Sequence, residues 1–319
     1  MYRILRFYNQ NKKNIIKVIL IIAFILGLIQ LLDFWAKNKN VDNQNLNLIG
    51  SGSISNKLED KIVSNKSAII GDTISTEKLE SDGNIINNFM ENCNNKDITA
   101  AYDLISDECK EEMYPTKEEF YQKYYLNVFN NKEKLFFIEN WFDDIYKVEI
   151  DEDILATGNV ISSNKNLDYI TVVDQKNEKR LNINSFIGKE EINKNYQKNG
   201  IGVTIIEKMV YMDYEVYKLN IQNNTSNKIC LDTKEETDNI YLENNKNAKI
   251  YAMINEIDED TLVINEKSSK EIEIKFNTTY SSNKKINDII FEKVIMDYKL
   301  YMEGDKESYN DYYNLKIDL

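Results

Sequence analysis

The chemistry open to this 319-residue chain is bounded first by a residue it lacks: it has no histidine. Without an imidazole there is no Ser-His-Asp or Cys-His nucleophile, no histidine-bearing zinc site and no histidine pH switch. Three cysteines remain, Cys93, Cys109 and Cys230. None has a histidine base, and the first two fall near the ends of two successive antiparallel helices. All three are therefore expected as buried thiols, with a Cys93–Cys109 bridge as the competing reading. Acidic runs stand at Asp151-Glu152-Asp153 and at Asp258-Glu259-Asp260 with Glu256. Both lack the spacing and the glycine of a calcium loop and read as solvated turns. Nothing singles out a carboxylate pair for glycoside hydrolysis among the 53 acidic residues. No G-x-S-x-G, no S-x-x-K with its companion motifs, no P-loop and no G-x-G-x-x-G is present. The expectation is a chain without catalytic, cofactor-binding or metal-ligating residues.

The elements that carry these residues are organised by an N-terminal apolar run. Residues 15–35, IIKVILIIAFILGLIQLLDFW, are 21 in number, long enough as a helix to cross a hydrocarbon core of about 30 Å. Arg3, Arg6, Lys12 and Lys13 precede the run without an acidic residue, Lys17 can snorkel at one end, and Trp35 suits the interface at the other. The reading is a cytoplasmic basic tail (1–14), a single transmembrane helix (15–35) and an extracytoplasmic remainder. A cleaved signal would want a shorter run and a small-residue site, and a core helix of this length, apolar all round and isolated by a polar tract, is rare. Beyond residue 36 the chain holds 35 basic and 52 acidic residues, a net of −17. So acidic a surface gives no generic grip on nucleic acid and stands off anionic lipid.

Residues 36–82, rich in Asn, Ser, Lys and Gly, read as a flexible stalk, with a short helix around 54–63 as an option. From Asn84 the apolar period is helical, through Ile85, Ile86, Phe89, Met90 and Cys93. Asp97 can cap a second helix that carries Ile98, Ala101, Tyr102 and Ile105. Thr116 and Glu119 form a capping box for a third. The period then changes to two, with strands expected at 134–142, 145–150, 154–161, 168–174 and 179–186. Together 83–187 make an α+β domain. Residues 188–200 read as a linker, and 201–319 as a β-sandwich in which no helix is needed, with strands at 201–210, 214–222, 228–231, 239–243, 248–255, 261–265, 270–276, 286–297 and 313–319.

The order of elements in 84–187, and the stretch AYDLISDECKEEMYPTKEEF within it, resembles the nuclear transport factor 2-like fold. The region YKLNIQNNTSNKICLD followed by KEIEIKFN is similar to immunoglobulin-like domains of membrane-anchored proteins from low-GC Gram-positive bacteria. The first resemblance implies a cone with a mouth between helices and sheet, which Tyr102, Phe120, Tyr124, Phe137 and Trp141 could line. Core packing is the competing reading of those aromatics. One membrane helix followed by such a domain also resembles scaffold subunits of conjugation and type IV secretion machines. The expected function is that of a cell-membrane-tethered, non-enzymatic binding protein with a protein or cell-envelope partner. A secretion scaffold and a small-ligand or acid-base pocket are the alternatives, and a homo-oligomer stays open. An exposed edge strand offers the physical route, by strand addition.

Overall fold

Ser75 opens the first long helix. Its hydroxyl accepts from the Lys78 amide at 3.2 Å, and Glu77 lies in the first turn, where the helix dipole favours a negative charge. That helix is α1 (Thr76–Asn94). The computed structural model describes residues 61–64, 67, 74–152, 166–282 and 284–319. The basic tail, the apolar run with Arg3, Arg6, Lys12, Lys13, Lys17 and Trp35, and the strand expected at 154–161 lie outside the described residues. Among the described residues no helix is long and apolar enough to cross a membrane.

α1 starts eight residues before the expected Asn84 and shortens the expected stalk. The apolar pattern hides this first part because two of the positions it buries are Asp82 and Gly83. A three-residue strand, β1 (Ile62–Ser64), also stands where stalk or a short helix was expected. Asp97 caps α2 (Ile98–Asp103) as anticipated, through the Ala100 amide. The helix stops there, however, and Ile105 bridges to Leu181. Ser106 then caps a separate α3 (Asp107–Met113), so Cys109 begins a helix instead of ending one. The Thr116–Glu119 capping box is present and opens α4 (Lys117–Phe120). α4 runs through a π turn, Tyr121–Tyr125, into α5 (Leu126–Val128). The extra residue in that turn stacks Phe120 on Tyr124 (5.6 Å) and Tyr121 on Tyr125 on Phe129 (5.4 and 5.5 Å) in two adjacent ladders.

After the helices come β2 (Lys134–Phe142), β3 (Ile145–Glu152), β4 (Asn166–Gln175) and β5 (Glu178–Asn182). They form an antiparallel meander, and β1 adds to it in parallel beside β2. The apolar faces of α1, α4 and α5 pack onto this sheet, through Phe89, Met90, Phe120 and Phe129 against Ile138, Val148 and Ile170.

Residues 188–200 are not a linker. They belong largely to β6 (Phe186–Lys198), which turns at Asn199-Gly200 into β7 (Ile201–Tyr211). Both turn residues have positive φ (50° and 79°), the type I′ geometry that matches the twist of paired strands. β8 (Tyr214–Asn223) and β13 (Ser268–Asn277) complete a four-stranded sheet in the order β13-β8-β7-β6.

A second sheet holds β9 (Ile229–Cys230), β10 (Ile240–Asn244), β11 (Lys249–Tyr251), β12 (Val263–Ile264), β14 (Ile286–Ile295) and β15 (Tyr312–Asp318). Its order is β11-β10-β14-β9-β12, with β15 on β14. The two sheets share one core, in which Ile205, Leu219 and Ile274 meet Leu242, Phe291 and Ile317. Contrary to expectation this region contains helix, in α6 (Glu259–Leu262) and α7 (Tyr298–Glu303). Asp297 caps α7 through the Leu300 amide, and Asp258 holds the N-cap position of α6 without a side-chain cap bond; the strand reading passed over both. The first core also recruits Phe186, Met209 and Tyr211 from β6 and β7. All these elements belong to one compact unit, Asn56–Leu319.

Candidate functional site

The structure separates the five aromatics expected around a mouth. Phe120 and Tyr124 are buried, and Tyr102 packs on Phe120 at 5.9 Å while its hydroxyl donates to the Tyr114 carbonyl at 2.8 Å. Phe137 and Trp141 lie on the other face of the five-stranded sheet. Phe137 is 40% exposed, and Trp141 meets Tyr169 edge-on at 5.3 Å. Phe120, Tyr124 and Tyr102 thus lie among the packed aromatics of the first core, and the five do not converge on one pocket.

Behind Tyr124 lies a carboxylate that the sequence reading did not find. Asp168 is on β4, in phase with the inward Ile170 and Val172, and is buried. The Tyr124 hydroxyl donates to its Oδ2 at 2.8 Å, the Asn184 amide to the same oxygen at 3.1 Å, and the Ser185 amide to Oδ1 at 2.9 Å. Burial outweighs these three donors and lifts the carboxyl from 3.8 to about 6. The signal was available, since an aspartate in register with buried apolar neighbours on a strand must be accommodated by specific donors.

A second buried carboxylate fixes α1 to the sheet. Asp82 has a fully buried side chain that accepts from Lys78 at 2.7 Å, from Lys179 on β5 and from the Tyr146 hydroxyl on β3 at 2.7 Å. Burial alone would raise this carboxyl; the donors from Lys179, Lys78 and Tyr146 overcome it and hold it below the usual range. Lys78 reaches on to Asp144 at 2.5 Å. Lys78, Asp82, Asp144 and Lys179 line a cleft of ≈ 270 Å³ with Thr171–Asp174. Its charges satisfy one another around the buried Asp82 carboxylate, which makes it a clamp between helix and sheet.

Two further concavities are open and charge-lined. One of ≈ 520 Å³ lies over the outer face of the four-stranded sheet and is lined by Lys218, Glu256, Asp258, Glu271, Glu273 and Lys275. Another, of ≈ 710 Å³, is bordered by Glu235, Glu236, Asp238 and Tyr251. Glu256, Asp258, Glu259 and Asp260 are exposed turn and helix-start residues, as expected, and Glu256 pairs with Lys275 at 3.1 Å. Asp151 and Glu152 are the last two residues of β3 and pair with Leu135 and Lys134, so they are strand and not the expected turn; Asp153 lies outside the described residues. Among the described residues no group of three or more His, Cys, Asp or Glu side chains could hold a metal ion. The three cysteines are free and buried; burial pushes the Cys93 thiol up and lifts Cys109 and Cys230 to about 12.

The sheet edges β6 and β15 are further surfaces that could bind. Among the described residues β6 pairs only with β7, and β15 only with β14. β6 is guarded: a register shift falls between Glu191 and Lys194, Asn193 is left-handed (φ 51°), and Lys194 and Lys198 are exposed. In the β15 ladder the register shift falls on β14, between Phe291 and Val294, and β15 itself carries no extra residue. The Leu319 amide donates to the Asn287 carbonyl at 2.6 Å, which sets the phase of the ladder. Leu315 and Ile317 therefore bond to β14, while the amides of Asn314, Lys316 and Asp318 point to the open side.

No protein-family model and no curated protein matches this chain. A crystal structure of a conserved hypothetical protein from Bacillus anthracis is distantly similar, with 10% identity and a TM-score of 0.23. The match covers 28% of this chain and 80% of that one.

Proposed function

We propose that this chain is a membrane-tethered extracytoplasmic binding protein without catalytic activity of its own, which engages a protein or cell-envelope partner by strand addition at β15. The tether rests on the apolar run 15–35 and its basic flank. The binding route rests on one observation, the unguarded edge of β15: three consecutive outward amides on a strand whose inward side chains are already fixed in the core. Lys316, its exposed cation, is engaged by Asp288 at 2.8 Å and Glu243 at 3.1 Å on its own sheet, and so does not fend off an incoming strand. In this reading residues 83–187 form a nuclear transport factor 2-like domain and the two later sheets an immunoglobulin-like sandwich. What supports it is the sequence of helices and a meander that curls on them, followed by two antiparallel sheets around one core. The pocket alternative would draw on Asp168 and Tyr124, but none of the concavities described above includes either residue.

The test is photo-cross-linking of the full-length protein in its native membrane, with a reactive group at Asn314 or at Asn195 on the guarded edge. A partner captured from Asn314 and lost on Lys316→Pro, which deletes an outward donor, supports the reading. Equal capture from both edges, or capture that survives the proline, counts against it. Recovery of secretion or conjugation subunits would favour the scaffold alternative.

A further inference from the structure

Within β15 the stretch Leu315-Lys316-Ile317-Asp318, followed by Leu319, reads apolar, basic, apolar, acidic, apolar. Reversing it exchanges the two charges and leaves the apolar positions apolar. A second copy laid antiparallel, with Ile317 opposite Ile317, therefore brings each Lys316 opposite an Asp318. The phase of the strand permits this register. Lys316 and Asp318 both turn their amides to the open side, because the odd-numbered residues bond to β14. Each facing Lys316–Asp318 pair can then exchange both of its main-chain hydrogen bonds. A slip of one residue puts the amides out of phase and reverses the faces. A slip of two sets Lys316 against Lys316 or removes the facing charges altogether.

The charges on the outer face of this sheet favour the same register. Glu243 on β10, Asp288 on β14 and Asp318 on β15 stand directly opposite one another in the ladder. Like charges facing across strands destabilise a sheet. Lys316 lies on the same face and engages the inner two, Asp288 at 2.8 Å and Glu243 at 3.1 Å. Asp318, exposed at the open end of the row, has no ion-pair partner among the described residues. We propose that β15 takes β15 of a second copy of this chain, antiparallel about Ile317, so that the two sheets become one. Lys316 of the second copy then closes the acidic row beside Asp318, and the two-fold axis repeats the contact at the other end. On the inner face the half-buried Leu319 meets Leu315 of the second copy. The contact is isologous, so association stops at two copies. Five residues make a short interface; the tether proposed above would hold the copies on one surface, where their effective concentration is high. This inference rests on the reading that β15 accepts an added strand, and it names the strand.

The experiment is zero-length carbodiimide coupling of the full-length protein in liposomes, made from equal parts of ordinary and heavy-nitrogen protein and read by mass spectrometry. Coupling joins a carboxylate to an amine in ion-pair contact, and a mixed-label product forms only between copies. A mixed-label Asp318–Lys316 product is expected, beside same-label Lys316–Asp288 and Lys316–Glu243 products that report the intact sheet. Energy transfer between dye-labelled copies in the same liposomes then reads the variants. Asp318→Lys alone and Lys316→Asp alone each set like charges opposite twice and should weaken association about tenfold. Mixing the two variants restores both pairs and should restore association. The coupling product keeps the test decisive should Lys316→Asp not fold. Same-label products without the mixed-label one, association that Asp318→Lys leaves unchanged, or a mixture of two folded variants no better than either alone would each overturn the proposal. Capture of a different protein from Asn314, with no mixed-label product, would leave strand addition standing and remove the second copy; no capture of any chain at β15 would remove both.

Discussion

Replacing Asp82 by asparagine removes the charge from the clamp between α1 and the five-stranded sheet while keeping its shape. Breaking a fully buried ion pair by removing one partner costs about 3–5 kcal/mol, chiefly because the other charge is stranded. Here the stranded charges are less trapped: the Lys78 and Lys179 side chains keep 38% and 31% of their surface in water and can rehydrate. The Tyr146 hydroxyl cannot, since that residue is fully buried, and it loses an ionised acceptor. The expected loss for Asp82→Asn is about 2–3 kcal/mol, a fall in melting temperature of roughly 5–10 °C for a unit of this size. Lys78→Met should cost less than about 1 kcal/mol, as it removes a partly exposed cation paired with Asp82 at i,i+4 and with the exposed Asp144, and leaves Lys179 and Tyr146 on Asp82. The assay is urea denaturation of the whole chain in mild detergent at pH 7 and at pH 3. The Asp82 carboxyl lies below its ordinary value in the fold, so its contribution is present above about 3.8 and fades as pH falls through the folded value. The difference between wild type and Asp82→Asn should therefore shrink at pH 3. A loss below about 0.5 kcal/mol at pH 7, or a difference undiminished at pH 3, refutes this reasoning.

Further expectations follow from packing, turn geometry and thiol burial. Phe120→Ala empties a site surrounded by Phe89, Tyr102, Tyr114 and Tyr124 and should cost about 3–5 kcal/mol by chemical denaturation, against less than about 1.5 for Phe137→Ala on the exposed face. Gly200→Ala puts a Cβ 2.9 Å from Thr225 Cγ2 at a φ of +79° and should cost about 1–3 kcal/mol, read by the same assay. A thiol reagent at pH 8 should find no fast-reacting cysteine in the native protein and three after denaturation without reductant. Two thiols missing from that count would reveal a bridge.

Periodicity and capping chemistry located most elements. The strands at 134–142, 201–210, 214–222 and 270–276 fall within a residue or two of their observed bounds, because their alternation is clean and their faces differ in burial. The Asp97 cap and the Thr116–Glu119 box also form as written, since a cap is a contact over three residues and needs no tertiary context. Failures occur where burial is not apolar. α1 begins before Asn84 because Asp82 and Gly83 occupy inward positions, and Asp168 escaped notice because carboxylates were weighed as clusters and not by strand phase. The error over 188–200 had its remedy in view: Asn199-Gly200 is a strong hairpin signal, and β6 was missed because its residues are polar along most of an exposed edge. The expected mouth could not be tested by spacing alone. Phe137 and Phe136 are neighbours in sequence but point to opposite faces of β2.

The connectivity of the strands bears on the order in which the chain can assemble. From β2 to β8 every strand pairs antiparallel with a sequence neighbour, except where β5 hands over to β6; each hairpin can close as soon as its second strand has been synthesised. The second half is different. β13 must return to β8 across some 45 residues, and β14 must find β10 and β9. Those pairings are non-local and slow, and until they form β8 offers a bare edge and one half of an apolar core. The late-closing sheet, and not the meander, sets the time for which nascent chains are exposed to aggregation. Substitutions that weaken β13 should lower the yield of soluble protein more than equally destabilising ones in β3.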